Sequence, residues 1–425
     1  SRDGKEQRDG AKEVAIEYIT SKNLFYLICD TLKLMDESLI KHGTRVSYIM
    51  SKMLECKGGY EKFEIADFML LGVLHDIGAY KTDDVRKQLT YEAKNPMPHS
   101  IYGYLFLKYL SPLEEQSKMI LYHHVDTDKL QDVDYQYKPE TEILKVAEIM
   151  DIWNTAFGEK FDYHMIERYI GTKFDKRACE LLYDIFNKLT DGSYYNEFEE
   201  SVEYVLLSDE EKEKYLRMLM YTTGLKKESM VADTIETIYV CKEIGRKMQL
   251  SEMDSAEIYY AALVHDIGML VIPEDIIDAP RKLEDAEKNL IHTHVELMHK
   301  AIEGKFSQNI VDIAVAHHER FDGSGYPKGL KGSGMNTKQA ILQTAETVVS
   351  MINDKPYRKA YNKEDIMEEL NNGIVSGKYD GVVADTFLRY YDEIVEKAFQ
   401  KAQVTLTTHQ RLLRNYEQVY KNFTK

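Results

Sequence analysis

The sequence repeats itself once, and this duplication constrains the fold more than any other feature. Three blocks recur in the same order: ADFMLLGVLHDIG at 66–78 and AEIYYAALVHDIG at 256–268, MILYHH at 119–124 and IAVAHH at 313–318, ILKVAE at 143–148 and ILQTAE at 341–346. Each block aligns without a gap, and the separation of matching positions grows only from 190 to 198 residues. Blocks that keep their order at a slowly growing spacing predict two copies of one domain.

The pattern within each copy predicts helices. Apolar residues recur mostly at three- and four-residue spacing, there are only 8 prolines, and strand-like alternation is scarce. We therefore expect an all-α protein with two tandem helical-bundle domains related by internal duplication. The expected limits are an N-terminal extension at 1–22, a first copy at 23–205 and a second copy at 206–425. The helical segment 362–425 either packs on the second copy or mediates a homodimer.

Charge and composition exclude some partners. The chain has 55 basic and 72 acidic side chains and a net charge of −17, so it lacks the long-range attraction that nucleic-acid polymers and anionic membranes require. No apolar run approaches the roughly 18 residues of a membrane span. The four cysteines form no CxxC pair, which favours a reducing compartment. We expect a cytoplasmic protein without a membrane segment.

Histidines and carboxylates stand at matching positions in the two copies. The first copy has His42, His75, Asp76, His99, His123, His124 and Glu148, and the second has Asp233, His265, Asp266, His294, His317, His318 and Glu346. Asp233 precedes His265 by 32 residues, as His42 precedes His75 by 33. Imidazoles mixed with carboxylates suit iron or manganese. Two such ions activate water for attack on a phosphoester, so we expect two divalent ions per active site.

The second copy adds two longer stretches, HHERFDGSGYPKGL at 317–330 and TAETVVSMINDKPYRKAY at 344–361. With these, the chain resembles the HD superfamily of metal-dependent phosphohydrolases. Its second copy resembles the HD-GYP family, which hydrolyses cyclic dinucleotides such as cyclic di-GMP. The first copy resembles a shortened HD domain without the GYP stretch.

The resemblance implies a role for each matching residue. All the histidines and carboxylates above fall on metal-ligand positions, with Asp266 and Asp76 as catalytic residues and Asp266 as the bridge between ions. Lys355 and Arg358 fall on positions that hold substrate phosphate, and Gly325, Tyr326 and Pro327 belong to the substrate loop. The chain departs from the family at Asp233, where a histidine is usual, and at Ala79 and Met269, where a lysine is usual. The first copy has Phe157 and Lys160 in place of Lys355 and Arg358.

The function we favour is a metal-dependent phosphodiesterase of bacterial signalling. It would hydrolyse cyclic di-GMP or cyclic GMP-AMP to a linear dinucleotide by metal-activated water. One alternative is a catalytically degenerate module that binds or senses a cyclic dinucleotide. Another is a nucleotide phosphohydrolase that works through the first copy. We favour the second copy as the catalytic one because of its GYP stretch, although the first has the more complete set of histidines.

Overall fold

The computed structural model describes residues 17–82, 97–189 and 194–423. These residues form helices joined by turns and loops, and no β-strand occurs among them. The predicted all-α class is therefore confirmed. Within the same described ranges, no helix is both long enough and apolar enough to cross a membrane.

The helices follow the duplication. Those up to residue 202 are α1 (Ser21–Met35), α2 (Glu37–Lys57), α3 (Lys62–Leu74), α4 (Ala79–Thr82), α5 (Met97–Leu110), α6 (Ser117–Tyr122), α7 (Lys138–Phe157), α8 (His164–Glu167), α9 (Lys176–Ile185) and α10 (Tyr194–Val202). Those that follow are α11 (Asp209–Lys226), α12 (Glu228–Lys247), α13 (Glu252–Val264), α14 (Glu274–Ile277), α15 (Asp285–Ile302), α16 (Gln308–Val315), α17 (Thr337–Ile352), α18 (Lys363–Val375), α19 (Gly381–Arg389) and α20 (Tyr391–Phe423). Short 3₁₀ turns lie at Thr127–Leu130, Gly158–Lys160, Phe186–Lys188, Ile267–Val271 and Gly332–Gly334.

Helices α3 and α13 are each followed directly by a His-Asp pair, here called the HD pair: His75-Asp76 after α3 and His265-Asp266 after α13. α3 begins with a capping box in which the Glu61 amide donates to the Glu64 carboxylate at 2.7 Å. Its apolar run from Ile65 to Leu74 is almost wholly buried, which suits a helix at the centre of a bundle. Ser251 is the N-cap residue of α13, and its hydroxyl accepts the Asp254 amide at 3.1 Å. Both helices thus end inside their bundles, where the HD pair is enclosed.

The glycine that follows each HD pair lies against the helix that carries the next histidine. A Cβ atom at Gly78 would be 2.0 Å from the carbonyl oxygen of His99, and one at Gly268 would be 1.9 Å from that of His294. Real Cβ atoms do not approach a backbone oxygen so closely. Only glycine therefore lets the HDIG turn contact α5 and α15 directly, and this contact sets the depth of the following histidine.

Gly268→Ala should lower the free energy of unfolding by at least about 1–3 kcal/mol, because the added methyl group must push α15 away. The displacement should also weaken metal binding, since His294 moves with the helix. Thermal unfolding and metal titration measure the two effects. Gly334→Ala is the matched control, because a Cβ atom there meets nothing within 4 Å. Equal melting temperatures for the two variants would contradict the proposed packing role of Gly268.

The long C-terminal helix α20 contacts both copies. In its first half, Thr405 shares a hydrogen bond of 3.0 Å with Tyr239 of α12. Near its end, Asn415 donates to the Tyr109 hydroxyl of α5 at 2.6 Å. Of the two alternatives predicted for segment 362–425, the structure shows packing on the second copy, and it adds contact with the first. The homodimer stays a prediction.

Helix α1 also joins the two copies. Asp30 forms an ion pair of 2.7 Å with Lys305, and Asn23 donates to the Lys305 carbonyl at 3.2 Å. α1 begins at Ser21, so the expected limit between residues 22 and 23 falls in its first turn. The expected limit between 205 and 206 falls in the loop that separates α10 from α11. The domain limits stay a prediction, and residues 1–16 of the expected extension lie outside the described residues.

Candidate metal and substrate sites

In the first copy, four histidines surround Asp76. The Nε2 atoms of His75 and His42 lie 3.4 and 3.7 Å from one carboxylate oxygen of Asp76. Those of His99 and His123 lie 3.5 and 3.7 Å from the other. All five side chains are buried. Helices α2, α3, α5 and α6 thus bring these five side chains together, and their role as metal ligands stays a prediction.

Hydrogen bonds to backbone carbonyls fix the orientation of the imidazoles. The Nδ1 atom of His75 lies 2.6 Å from the Gly72 carbonyl oxygen, and that of His123 lies 2.6 Å from the Ile120 oxygen. A carbonyl only accepts, so Nδ1 carries the proton in both rings. The lone pair is then on Nε2, which faces Asp76, and this is the tautomer that binds a metal through Nε2.

The ligand atoms of the first copy form two groups that share Asp76. Within each group, one ligand atom from every residue lies within 4.8 Å of the others; the groups are Asp76, His99, His123 and His124, and His42, His75, Asp76 and Glu148. The Nε2 atoms of His75, His123 and His124 and both oxygens of Asp76 are buried without a hydrogen-bond partner. Leaving such groups unpaired is costly. Two divalent ions that share Asp76 would satisfy them, so the residues fit the metals that the sequence implies.

Asp151 supports this site, although the sequence interpretation overlooked it. Its Oδ2 lies 2.7 Å from the Nδ1 of His42 and 2.9 Å from a guanidinium nitrogen of Arg45. Burial opposes the charge of Asp151, but the hydrogen bonds to His42 and Arg45 outweigh burial and lower its pKa. Asp151 therefore orients His42 by accepting a hydrogen bond from the Nδ1–H of the His42 ring. Its position on α7, one helical turn after Glu148, was the available signal.

In the second copy, three histidines surround Asp266. The Nε2 atoms of His265, His294 and His317 lie 3.5, 3.5 and 3.9 Å from its carboxylate oxygens. The Nε2 atoms of His294 and His317 are only 3.1 Å apart. Each ring has its Nδ1 within 2.8 Å of the carbonyl oxygen three residues earlier, which belongs to Ala262, Ile291 or Ala314. The orientation is thus fixed in the same way as in the first copy.

The rest of the second site differs from the first. Only His294, His317 and His318 form a group with ligand atoms within 4.8 Å of one another among the second copy's described residues. The Nε2 of His265 lies 3.5 Å from Glu346. Asp233 is held by Lys355 Nζ at 2.6 Å and by the Asn353 amide at 2.8 Å. The structure therefore places Asp233 beside a lysine, and its predicted role as a metal ligand stays untested.

The protonation of the matching histidines follows these contacts. Burial lowers the pKa of His75 to about 4, which keeps its imidazole neutral. Burial also opposes the charge of His265, but Asp266 and Glu346 outweigh it and raise the pKa of His265 to about 9. Burial likewise opposes the charge of Glu346, yet the contact with His265 lowers the pKa of Glu346 to about 2. The second copy thus contains an internal ion pair that the first copy lacks at the matching positions.

The loop from residue 321 to 335 is organised by a buried carboxylate. Glu319 is fully buried, and its two oxygens accept the amides of Lys328 and Leu330, each at 2.7 Å. Its backbone carbonyl accepts the side-chain amide of Gln343. Since both carboxylate oxygens are engaged in loop contacts, Glu319 orders the loop.

Tyr326 of the GYP stretch supports a candidate ligand. Its ring stacks on His318, with centroids 4.8 Å apart, and on His292, with centroids 3.7 Å apart. The Tyr326 amide also donates to the His318 carbonyl at 3.1 Å. Tyr326 therefore fixes the outer face of His318. His292 completes this stack.

A cavity of about 620 Å³ opens beside the second site. Its lining includes His318 and Glu346 and three cationic side chains, which are Arg320, Arg358 and Lys378. Three further carboxylates, Asp365, Glu368 and Glu369, also line it. Arg358 was predicted from the sequence, whereas Arg320 and Lys378 were not, although Arg320 is only two residues from His318. Lys355 and residues 325–327 are described by the structure but lie outside this lining. The volume is in the range of small-molecule sites.

Comparison with known proteins identifies the fold family. The family model described as "HD domain" matches residues 39–155, and a second model with the same description matches residues 217–383. The chain belongs to the HD-domain proteins. Its HD domains are arranged in tandem, as the duplication predicted.

Among the relatives of this tandem HD-domain protein are curated phosphodiesterases. It is 25% identical over 404 residues to the 3'3'-cGAMP-specific phosphodiesterase 1 of Vibrio cholerae, which covers 89% of this chain and 94% of the relative. It is 32% identical over 157 residues to a cyclic di-GMP phosphodiesterase of Thermotoga maritima, which covers 36% of this chain and 42% of the relative. The first similarity therefore spans both HD domains, and the second spans only part of each protein.

A solved structure supports the fold of the tandem HD-domain protein. The crystal structure of a cyclic GMP-AMP-specific phosphodiesterase from Vibrio cholerae superposes with a TM-score of 0.55 and 15% identity. The match covers 88% of this chain and 98% of the other. At this identity the similarity supports the shared helical architecture over nearly the whole chain.

Proposed function

We propose that this tandem HD-domain protein is a metal-dependent phosphodiesterase that opens a cyclic dinucleotide, cyclic di-GMP or cyclic GMP-AMP, to a linear dinucleotide in the second copy. The observation that carries the proposal is the 620 Å³ cavity, whose lining joins candidate ligands His318 and Glu346 to the guanidinium groups of Arg320 and Arg358. The names of the relatives support the substrate class. Because the net charge of the chain is −17, an anionic ligand depends on local cations such as Arg320 and Arg358.

The residues of the second copy have separate tasks in this reaction. His294, His317 and His318 would hold a divalent ion next to Asp266. The bound metal supplies positive charge that lowers the pKa of water and offsets charge on the phosphate. Both terminal guanidinium nitrogens of Arg358 donate to backbone carbonyls, those of Lys359 and Ser350, and the group lies 4.7 Å from the Tyr361 ring centroid. These contacts hold its positive charge in the cavity lining, where it would attract a phosphate.

The proposal also covers the identity of the metal, the ions of the first copy and the cellular compartment. Iron or manganese is the metal, because imidazole and carboxylate ligands suit these ions. The first copy holds two ions through Asp76, which both ligand groups share. The protein acts in the cytoplasm, in keeping with four free cysteines.

Product analysis tests the proposed reaction. Wild-type protein loaded with manganese or iron should convert cyclic di-GMP or cyclic GMP-AMP to a linear dinucleotide that chromatography separates. Arg358→Ala should lower kcat/KM about 10–100-fold, since a charge-assisted contact to phosphate is worth about 1.5–3 kcal/mol. Arg389→Ala is the control, because Arg389 is exposed and pairs only with Asp385 in its own helix.

Two outcomes of this assay favour other functions. Unchanged substrate at full metal occupancy contradicts the proposed hydrolysis, and calorimetric binding of the same dinucleotide would then favour a degenerate binding module. Mononucleotides belong in the panel because the two ligand groups around Asp76 favour a nucleotide phosphohydrolase in the first copy as the second candidate. Turnover of mononucleotides alone would select that candidate.

A further inference from the structure

Two positions of the metal site have changed together between the copies. In the first copy, His42 is oriented by Asp151, 2.7 Å away. The matching residues of the second copy are Asp233 and the fully buried Val349. A carboxylate at position 349 would repel Asp233, whereas it attracts the ring N–H of a histidine. The exchange of His42 for Asp233 and of Asp151 for Val349 therefore removes a metal-supporting pair as a unit.

Both oxygens of Asp233 are occupied by other side chains. Lys355 Nζ donates to Oδ2 at 2.6 Å, and the Asn353 amide donates to Oδ1 at 2.8 Å. Asn353 also donates to Glu236, so it is itself held in place. The side chains of Asp233 and Lys355 are each only 21% exposed. An ion pair with this degree of burial and a supporting hydrogen bond is costly to break, because breaking it leaves a charge with little solvent.

The arrangement of ligands reflects this pairing. Asp76 belongs to two groups of ligand atoms, one with His42 and one with His99. In the second copy, the histidine group at 294, 317 and 318 is present, but the group that would contain Asp233 is not formed among its described residues. Thus the ligand group that is missing in the second copy is the one in which Asp233 stands in place of the histidine His42.

Lys355 supplies a charge where the first copy has none. The residue at the matching position of the first copy is Phe157, whose side chain is 44% exposed. A divalent ion that approached Asp233 would have to displace the ammonium group of Lys355 or bind next to a like charge. Like charges repel in proportion to their product, so a divalent ion next to the ammonium group is repelled twice as strongly as a second ammonium group would be.

We propose that the second copy binds a single divalent ion, at His294, His317 and His318, and that the ammonium group of Lys355 stands where the first copy binds its other ion. The ammonium group compensates the carboxylates that a second ion would otherwise neutralise. This inference rests on the proposed function for the assignment of these side chains as metal ligands. It also assigns Lys355 a role that differs from the phosphate contact implied by the family resemblance.

Metal stoichiometry tests the inference without reference to turnover. In a His75→Ala/Asp76→Ala background, which removes the ligand shared by both ions of the first copy, reconstitution with manganese should give one ion per chain. Adding Lys355→Met, which keeps most of the length of the side chain and removes the ammonium group, should give two. Mass spectrometry counts the ions, and electron paramagnetic resonance distinguishes isolated manganese from a coupled pair.

The control adds Asp233→Asn to the Lys355→Met variant and should return the count to one ion. In the chain with an intact first copy, we expect three ions with Lys355 present, four after Lys355→Met, and three after Lys355→Met with Asp233→Asn. This second series shows whether the result depends on misfolding of the His75→Ala/Asp76→Ala background. Two ions or none with Lys355 intact in the background, or one ion after Lys355→Met, would overturn the inference. Because counting ions needs no substrate, a protein that hydrolyses no cyclic dinucleotide could still pass this test.

Discussion

The double variant His265→Ala/Asp266→Ala should lose cyclic dinucleotide hydrolysis by about a thousandfold or more, whereas His75→Ala/Asp76→Ala should retain most of it. Asp266 lies within 3.9 Å of three histidines and is the centre of the second site. Losing it removes the charge stabilisation of a bound metal, which is worth several kcal/mol in the transition state, and each 1.36 kcal/mol is tenfold in rate. The first site has no such effect because the substrate cavity adjoins the second.

Each variant serves as the control for the other, because both replace one histidine and one aspartate at matching positions of the two copies. We would measure kcat/KM for cyclic di-GMP and cyclic GMP-AMP, with circular dichroism and metal content for each variant. Loss of turnover in the first-copy variant with retention in the second-copy variant would move the chemistry to the first copy. It would also favour the nucleotide phosphohydrolase, provided that mononucleotides are hydrolysed as well.

Complete removal of metal by a chelator should lower the melting temperature by about 12 °C. A ligand present at a thousand times its Kd stabilises the folded state by about 4 kcal/mol per site. At about 2.1 cal/mol/K per residue, a unit of 425 residues shifts by roughly 1 °C per kcal/mol, and the proposal counts three ions. The larger part should come from the first copy, where buried atoms of Asp76, His123 and His124 have no hydrogen-bond partner.

Asp76→Ala isolates this contribution. It removes the ligand shared by both groups, so the difference in melting temperature between metal-loaded and chelated protein should fall by more than half. Asp126→Ala is the control, because Asp126 is a partly exposed carboxylate paired with Lys129 outside the site. If chelated wild-type protein, verified to be free of metal, melts at the same temperature as loaded protein, the buried clusters do not bind ions that stabilise the fold.

Much of the fold and the candidate ligands could be predicted because the relevant signals are local. An HD pair directly after an apolar helix and a pair of histidines directly after another helix are both visible as short sequence patterns. Because the domain is duplicated, each pattern occurs twice. His75 and His265 were found in this way, as were His123 and His317. Helical periodicity likewise predicted the all-α class.

What the sequence did not reveal depends on contacts between distant segments. Lys355 and Asp233 are 122 residues apart, and nothing in the sequence near either residue predicts that the two form an ion pair. Tyr326 was assigned to the substrate loop, yet it stacks on His318, because the path of a glycine-rich loop is set by Glu319 and not by periodicity. The amphipathic pattern of α20 indicated a buried face but could not say that the face covers two domains.

The path of α20 links the thermodynamics of the two copies. This helix of 33 residues is about 50 Å long, and it contacts both α12, which carries Asp233, and α5, which carries His99. Neither HD domain can melt without exposing part of the same helix. We therefore expect the chain to unfold as one cooperative unit, in which a ligand bound in one copy also stabilises the other copy and a destabilising substitution in one copy also destabilises the other.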